Sequence, residues 1–310
     1  MFSMIGKTTK RTIDFKINKN ILMNQARYLD YNGEFYRNTE AIFQAGNRSF
    51  KYGDGIFETM RCDNGKIPLL NYHIQRLQES MELLQFDRPH KFGDDLILSR
   101  VEALLRKNDL LENECRVRLA VFRDGDGLYT PTTNATAYLL EVSRLDKKVN
   151  IHNQAGLIVD VFPDHRKPIN TLSGLKTSNA LLYVLAANYR KKHGLDDVVI
   201  LNQDGFICES SSSNIFVIYQ NTIYTPALTE GCVRGVMRRS IIDFAQETGI
   251  EIIEAQISPH ILNEAEEIFL TNAVHGMQCV LGYKKKRYFN RLSKVFWGQY
   301  EQWLYKPSVD

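Results

Sequence analysis

Four short apolar runs, at 198–202, 206–209, 215–219 and 222–225, follow one another with only brief polar stretches between them. Parallel strands need a crossover of a dozen or more residues, and these gaps cannot hold one. The runs therefore read as a meander of hairpins, with Asp204-Gly205 supplying the first turn. A helix precedes them at 179–193, with basic residues in its last turn and Gly194 as its stop. Another helix spans about 232–248 and stops at Gly249, and strands at 251–257 and 267–271 close the unit. Helices mixed with hairpins predict an α+β architecture rather than a doubly wound sheet.

The preceding half repeats the mixture. Residues 27–31 and 34–36 flank Asn32-Gly33 and read as a hairpin. Apolar residues at 74, 77, 81 and 84 have helical spacing within 73–85, and a second helix covers about 94–107. Strands follow at about 115–122 and 135–143. Residues 143–150 carry charge without apolar period and read as a linker. A chain of 310 residues suggests about two domains. The expected division is a small α/β domain over 23–146 and a larger one over 147–310, with residues 1–22 an extension outside the core.

A net charge of only +3 lacks the basic surplus of a nucleic-acid binder. No apolar run approaches the roughly 20 residues that span a bilayer, and the first residues lack a secretory signal's apolar core. The cytoplasm is the expected compartment. Five scattered cysteines without a C-x-x-C pair argue against a disulfide framework and a structural zinc site, so no metal is expected.

Single residues say less. Lys176, in GlyLeuLysThrSerAsn, reads alone as a surface lysine. Its place between an apolar strand and an apolar helix, approached through Ser173-Gly174, also suits a partly buried nucleophilic amine. Glu209 precedes four serines, which read either as a flexible connector or as small walls around a carboxylate that pairs with a protonated ring nitrogen. Residues 229–235 open the helix at 232, where free N–H groups suit a phosphate, although a simple cap reads equally well. Arg76 alone reads as a surface cation. The DGDG stretch at 124–127 has no following Glu at calcium-loop spacing and is rejected as a cation site. Lys284-Lys285-Lys286-Arg287 reads as a solvated hairpin tip.

Together, YGDGIFETMR (52–61), PLLNYHIQRL (68–77), LKTSNALL (175–182), CESSSSNIF (208–216), YTPALTEGCVRGVMR (224–238) and IFLTNAV (268–274) resemble the ordered signatures of class IV aminotransferases, the fold type IV pyridoxal phosphate enzymes. That group includes branched-chain aminotransferases, D-amino acid aminotransferases and 4-amino-4-deoxychorismate lyase, and the resemblance covers about residues 24–283. It implies a two-domain fold whose larger domain has a hairpin-rich, barrel-like core. Lys176 then matches the Schiff-base lysine that shuttles the substrate proton. Glu209 matches the carboxylate that keeps the pyridine nitrogen protonated, and Arg76 the phosphate arginine. The amides of Cys232 and Val233, with Thr271 and Asn272, match the remaining phosphate contacts. Phe57, Arg118 and Arg123 are the candidate substrate contacts.

The chain departs from each named branch. Asn179 stands third after the lysine and Leu181 fifth, unlike the Asn-Tyr of branched-chain enzymes and as in the other two branches. Phe57, Leu128 and Thr130 replace the carboxylate trap of D-specific enzymes, and Leu128 stands where lyases often have an arginine. An aminotransferase is the expected activity, the lyase (pyruvate release giving 4-aminobenzoate) its alternative, and a non-catalytic cofactor-binding relative comes third. The resemblance also implies a homodimer with the site completed by a partner loop. Aromatic crowding at Tyr28, Tyr31, Phe35, Tyr36, Phe43, Phe50, Tyr52 and Phe57 fits an interface.

Overall fold

The structure is a computed structural model that describes residues 26–89, 91–145 and 156–306. Its first half holds β1 (Tyr28–Tyr31), β2 (Glu34–Arg37), α1 (Arg48–Tyr52), β3 (Gly55–Cys62), α2 (Leu70–Leu83), α3 (Asp94–Lys107), β4 (Cys115–Arg123) and β5 (Thr136–Arg144). The strands form one antiparallel sheet in the order β2-β1-β5-β4-β3. Alternation sorts its faces. Ile56, Met60, Val117, Leu119 and Val121 point to a core that they share with Ile74, Leu77 and Met81 of α2 and Ile97, Val101 and Leu104 of α3. Phe57, Thr59, Arg116 and Arg118 occupy the alternate positions in register.

The second half holds β6 (Leu157–Val161), α4 (Leu181–His193), β7 (Asp197–Leu201), β8 (Ile207–Ser210), β9 (Asn214–Tyr219), β10 (Thr222–Pro226), α5 (Val236–Thr248), β11 (Ile252–Ala255), α6 (Ile261–Glu264), β12 (Glu267–Asn272), β13 (Gly276–Tyr283), β14 (Lys286–Arg287) and α7 (Leu292–Leu304). Its strands make a nine-stranded sheet in the order β11-β10-β9-β12-β13-β6-β7-β8, with β14 on β13. The sheet curls until β8 lies against β9 and β10, giving a half-barrel. One face packs on α5 and α7, where the Phe216 and Phe269 rings stack at 4.9 Å. No helix among the described residues is long and apolar enough to cross a membrane.

The α+β expectation stands, but the continuous meander does not. Hairpins join β7 to β8 and β9 to β10, whereas β9 takes β12 as its other neighbour. The pairs β10–β11, β13–β6 and β6–β7 are parallel. Short gaps set the local hairpins, but among the described strands β8 pairs only with β7, and β9 pairs with β10 and β12, so the β8–β9 connection is not a hairpin. The helix expected from 232 begins at Val236, because Gly231 (φ 81°) ends a 3-10 turn at Leu228–Glu230 and 231–235 stays a loop. The helix expected from 73 starts at Leu70, and β5 runs to Arg144, into the expected linker. Most of that linker, and the whole of 1–22, lies outside the described residues. Sequence reading missed β3, where Glu58 on the buried face and Phe57 on the other blur the alternation, and stopped short of β13 and α7. Lys284 (φ 48°) and Lys285 form the β13–β14 turn, as the basic run suggested.

Candidate active site

Lys176 lies where the two halves are stitched together. The Phe57 N–H donates to Lys176 O at 3.0 Å, and the Ser178 N–H donates to Gly55 O at 2.8 Å. Gly53 explains the GDG motif: its φ is +67°, and a Cβ there would sit 2.5 Å from Asn179 Oδ1. The Lys176 ammonium lies 4.5 Å from the Phe57 ring centroid and makes no hydrogen bond or ion pair with any described residue. Burial pushes its pKa down to about 8, the Arg76 guanidinium adds to this, and Glu58 and Glu209 oppose it. A depressed lysine binds fewer protons folded than unfolded between about pH 8 and the ordinary 10.5. Stability then rises with pH through that window. Cofactor-stripped protein is expected to gain stability over Lys176→Met from pH 8 to 10.5 in denaturant titrations. A difference that stays flat with pH would refute a depressed Lys176.

Arg76, one turn beyond Leu70–His73 on α2, is held by three bonds. Its Nε and Nη2 donate to Glu58 Oε1 at 2.8 Å and Oε2 at 2.5 Å, and its Nη1 donates to Arg234 O at 2.9 Å. Glu58 is buried and lies 2.6 Å from His73 Nδ1. Burial would raise its carboxyl, but Arg76 and then His73 outweigh that and hold it down to about 2. Burial lowers the His73 pKa, so neutral imidazole donates from Nδ1, and its buried Nε2 has no partner among the described residues. A guanidinium has five N–H groups, so two remain on the edge of Arg76 away from Glu58.

The 231–235 loop meets this arginine. The Arg234 N–H donates to Gly174 O at 3.0 Å, which ties the loop to the Lys176 segment. A Cβ at Gly235 would overlap the Asn214 amide, so that glycine permits close approach. Asn214 Nδ2 in turn donates to Thr271 O at 2.9 Å and Oγ1 at 3.1 Å, bringing buried Thr271 to the same place. Asn272 is spent otherwise. Its Nδ2 donates to Ser213 Oγ at 3.0 Å, and its Oδ1 accepts the N–H groups of Val274 at 3.0 Å and His275 at 2.8 Å. The Val233 N–H donates to Glu209 Oε2 at 3.0 Å. Cys232 is buried with its thiol pushed up to about 11 by burial. The first i→i−4 bond of α5 closes at Arg239, leaving the preceding N–H groups of that turn available.

Glu209, on β8, is buried with both oxygens engaged. Oε1 accepts from Lys167 Nζ at 2.5 Å and Tyr183 OH at 2.7 Å. The serines that follow are no flexible connector. Ser210 and Ser211 hydroxyls donate to buried Asp197 at 2.9 and 2.5 Å, and Ser210, Ser211 and Ser213 are buried.

Of the candidate substrate residues, Phe57 lies against Lys176 and Arg118 stacks on Phe57 at 4.9 Å, pairing with Glu141 at 3.0 Å. Arg123 is not brought there. Its guanidinium is buried between Asp54 Oδ2 (3.0 Å), Leu84 O (2.9 Å) and the Asn134 side chain, so its charge is spent on joining loops. Sequence reading overlooked Glu58, His73, Asn214, Lys167 and Tyr183. Glu58 alone left a signal, a carboxylate inside the IFETMR alternation.

This arrangement on a half-barrel defines an enzyme of the pyridoxal-phosphate fold type IV class. Residues 55–283 match the family model "Amino-transferase class IV", and the chain belongs to that family. It is similar to the putative branched-chain-amino-acid aminotransferase of Methanocaldococcus jannaschii, 29% identical over 77% of this chain and 82% of that protein. It is also similar to the aminodeoxychorismate lyase of Bacillus subtilis, 29% identical over 78% and 82%. The crystal structure of the branched-chain aminotransferase of Thermoproteus uzoniensis with norvaline shares the fold, with a TM-score of 0.79 at 20% identity over 90% of this chain and 95% of that one. The Escherichia coli branched-chain-amino-acid aminotransferase is likewise similar, 27% identical over 80% of this chain and 82% of that protein.

Proposed function

We propose that this chain binds pyridoxal 5'-phosphate and moves amino groups between an amino acid and a 2-oxo acid. The observation that carries the reading is Lys176: a half-buried amine against the Phe57 ring, with a lowered pKa and no ion-pair partner among the described residues, close enough to Arg76 and Glu209 to feel both. The donor set fits the cofactor. The two spare N–H groups of Arg76, the first-turn amides of α5 and the Thr271 hydroxyl suit a phosphate. Glu209 suits a ring nitrogen. The Cys232 amide lies in the same loop, whereas the Val233 amide and the Asn272 side chain serve the protein instead.

When bound, the cofactor supplies an aldehyde that captures amines and a ring that accepts an electron pair. The protein's share is proton movement and orientation. With a pKa near 8, Lys176 Nζ can accept a proton from the substrate Cα near neutral pH and return it elsewhere. Phe57 walls the amine, and Arg118 offers a cation to a substrate carboxylate. Arg123 acts through Asp54 by holding the loops around GDG.

The lyase remains the second reading, because the Bacillus subtilis relative is as similar as the transaminases and the Asn179 spacing is shared by the lyase and D-amino acid branches rather than the branched-chain one. One preparation is tested in two assays: amino transfer from a panel of donors to 2-oxoglutarate, and pyruvate release from aminodeoxychorismate. Transfer without pyruvate release supports the aminotransferase; the reverse replaces it with the lyase.

We further propose two domains, 23–146 and 147–310, in a cytoplasmic homodimer. Part of the aromatic surplus is engaged within the chain: Tyr31 and the partly exposed Phe43 pack with buried Phe122. Phe50 (84% exposed), Leu128 (78%) and Tyr129 (89%) stay outside, around a loop whose carbonyls Arg48 gathers. Apolar surface of this kind fits an interface core. Light scattering at low micromolar concentration is expected to give about twice the chain mass; a fully active monomer rules the dimer out.

A further inference from the structure

The relatives and the motifs assign nothing to Lys167 or Tyr183, yet both converge on one oxygen of Glu209. Lys167 is rigidly placed: its N–H donates to Leu201 O at 2.9 Å, and its carbonyl accepts from the Gln203 N–H at 2.8 Å. Its ammonium reaches Glu209 Oε1 at 2.5 Å while lying 5.6 Å from the centroid of the Tyr183 ring. Tyr183 comes from the first turn of α4, and its hydroxyl reaches the same Oε1 at 2.7 Å. Oε2 has one donor, the Val233 N–H. A carboxylate has about four acceptor positions, so one remains, on Oε2.

We infer that Lys167 and Tyr183 are positioning residues that both aim Glu209 and divide its charge, so that it grips a protonated ring nitrogen less tightly than a free carboxylate would. The inference rests on the pyridoxal phosphate reading. An ammonium on Oε1 neutralises much of the field that a ring proton would feel from Oε2, and the phenol withdraws more. The other ionisable groups turned toward this carboxylate are Lys176 and the thiols of Cys208 and Cys232. Burial raises both thiols and the Tyr183 phenol, so these three stay neutral and protonated around neutral pH. Lys167 is therefore the cation that offsets Glu209 directly. The cofactor ring would compete with it for the same carboxylate.

The test loads the full chain with 15N-labelled pyridoxal phosphate and follows the ring-nitrogen resonance against pH in wild type, Lys167→Met, Lys167→Arg and Tyr183→Phe. In Lys167→Met the ring nitrogen is expected to bind its proton about tenfold or more tightly, since a charge within roughly 4–6 Å shifts an ionisation by that order. Lys167→Arg should restore the wild-type titration, and Tyr183→Phe should move it in the same direction as Lys167→Met but less. A purely structural role predicts no movement, or weaker proton binding as Glu209 turns away. Bound cofactor with an unmoved or weaker ring nitrogen in Lys167→Met overturns the inference while leaving the cofactor reading intact. If Lys167→Met does not fold, an unmoved Tyr183→Phe resonance overturns it equally. No bound pyridoxal phosphate in wild type overturns both.

Discussion

Lys176→Ala is expected to lose turnover by about two to four decades, the range for removing a group that transfers protons in the transition state. It should also lose the borohydride-reducible link to pyridoxal phosphate altogether. The fold should survive. The Lys176 side chain makes no hydrogen bond or ion pair among the described residues, and its main-chain carbonyl, which accepts from Phe57, is retained in alanine. Removing a half-buried charge that burial disfavours even relieves a cost. Mass spectrometry after borohydride treatment decides it: a cofactor adduct at wild-type level in Lys176→Ala would assign the chemistry to another lysine.

Glu209→Gln should act on rate and stability together. A charge-assisted hydrogen bond of roughly 1.5–3 kcal/mol to the ring nitrogen is at stake. If it is realised only in the transition state, turnover falls by about one to two decades. The same change strands Lys167, whose side chain is 7% exposed and pairs with no other carboxylate among the described residues. Breaking a buried pair from one side costs on the order of 3–5 kcal/mol. A clear fall in thermal midpoint should therefore accompany the slower turnover. Wild-type turnover at saturating cofactor would remove Glu209 from the proposed site, and an unchanged midpoint would deny the Lys167 pair its structural weight.

What could be read along the chain was whatever depends on near neighbours. Asn32-Gly33 can turn tightly because both residues accept positive φ (52° and 92°), so the β1–β2 hairpin was visible in that pair and its flanks. The helix read at about 94–107 is found at Asp94–Lys107, where acids in the first turn, bases in the last and a stripe at Ile97, Val101, Leu104 and Leu105 are all local features. The ordered motifs marked Lys176, Arg76, Glu209 and the 231–235 loop by type and order.

Packing decided the rest, because burial and distant approach leave little trace in local spacing. Arg123 and Arg118 sit five residues apart on β4, yet Asp54 and the carbonyls of another loop claim one, while the other stacks on Phe57. The serines after Glu209 look like a tether until Asp197, from the neighbouring strand, gathers their hydroxyls. Lys167 and Glu209 lie 42 residues apart and meet only because β7 and β8 pair and the chain before Pro168 lies along the end of β7. Sequence by itself determined the class of fold and the residue types able to do the chemistry. Tertiary structure alone decided which charges are desolvated and what each one faces, because a charge's worth depends on its burial and its partner.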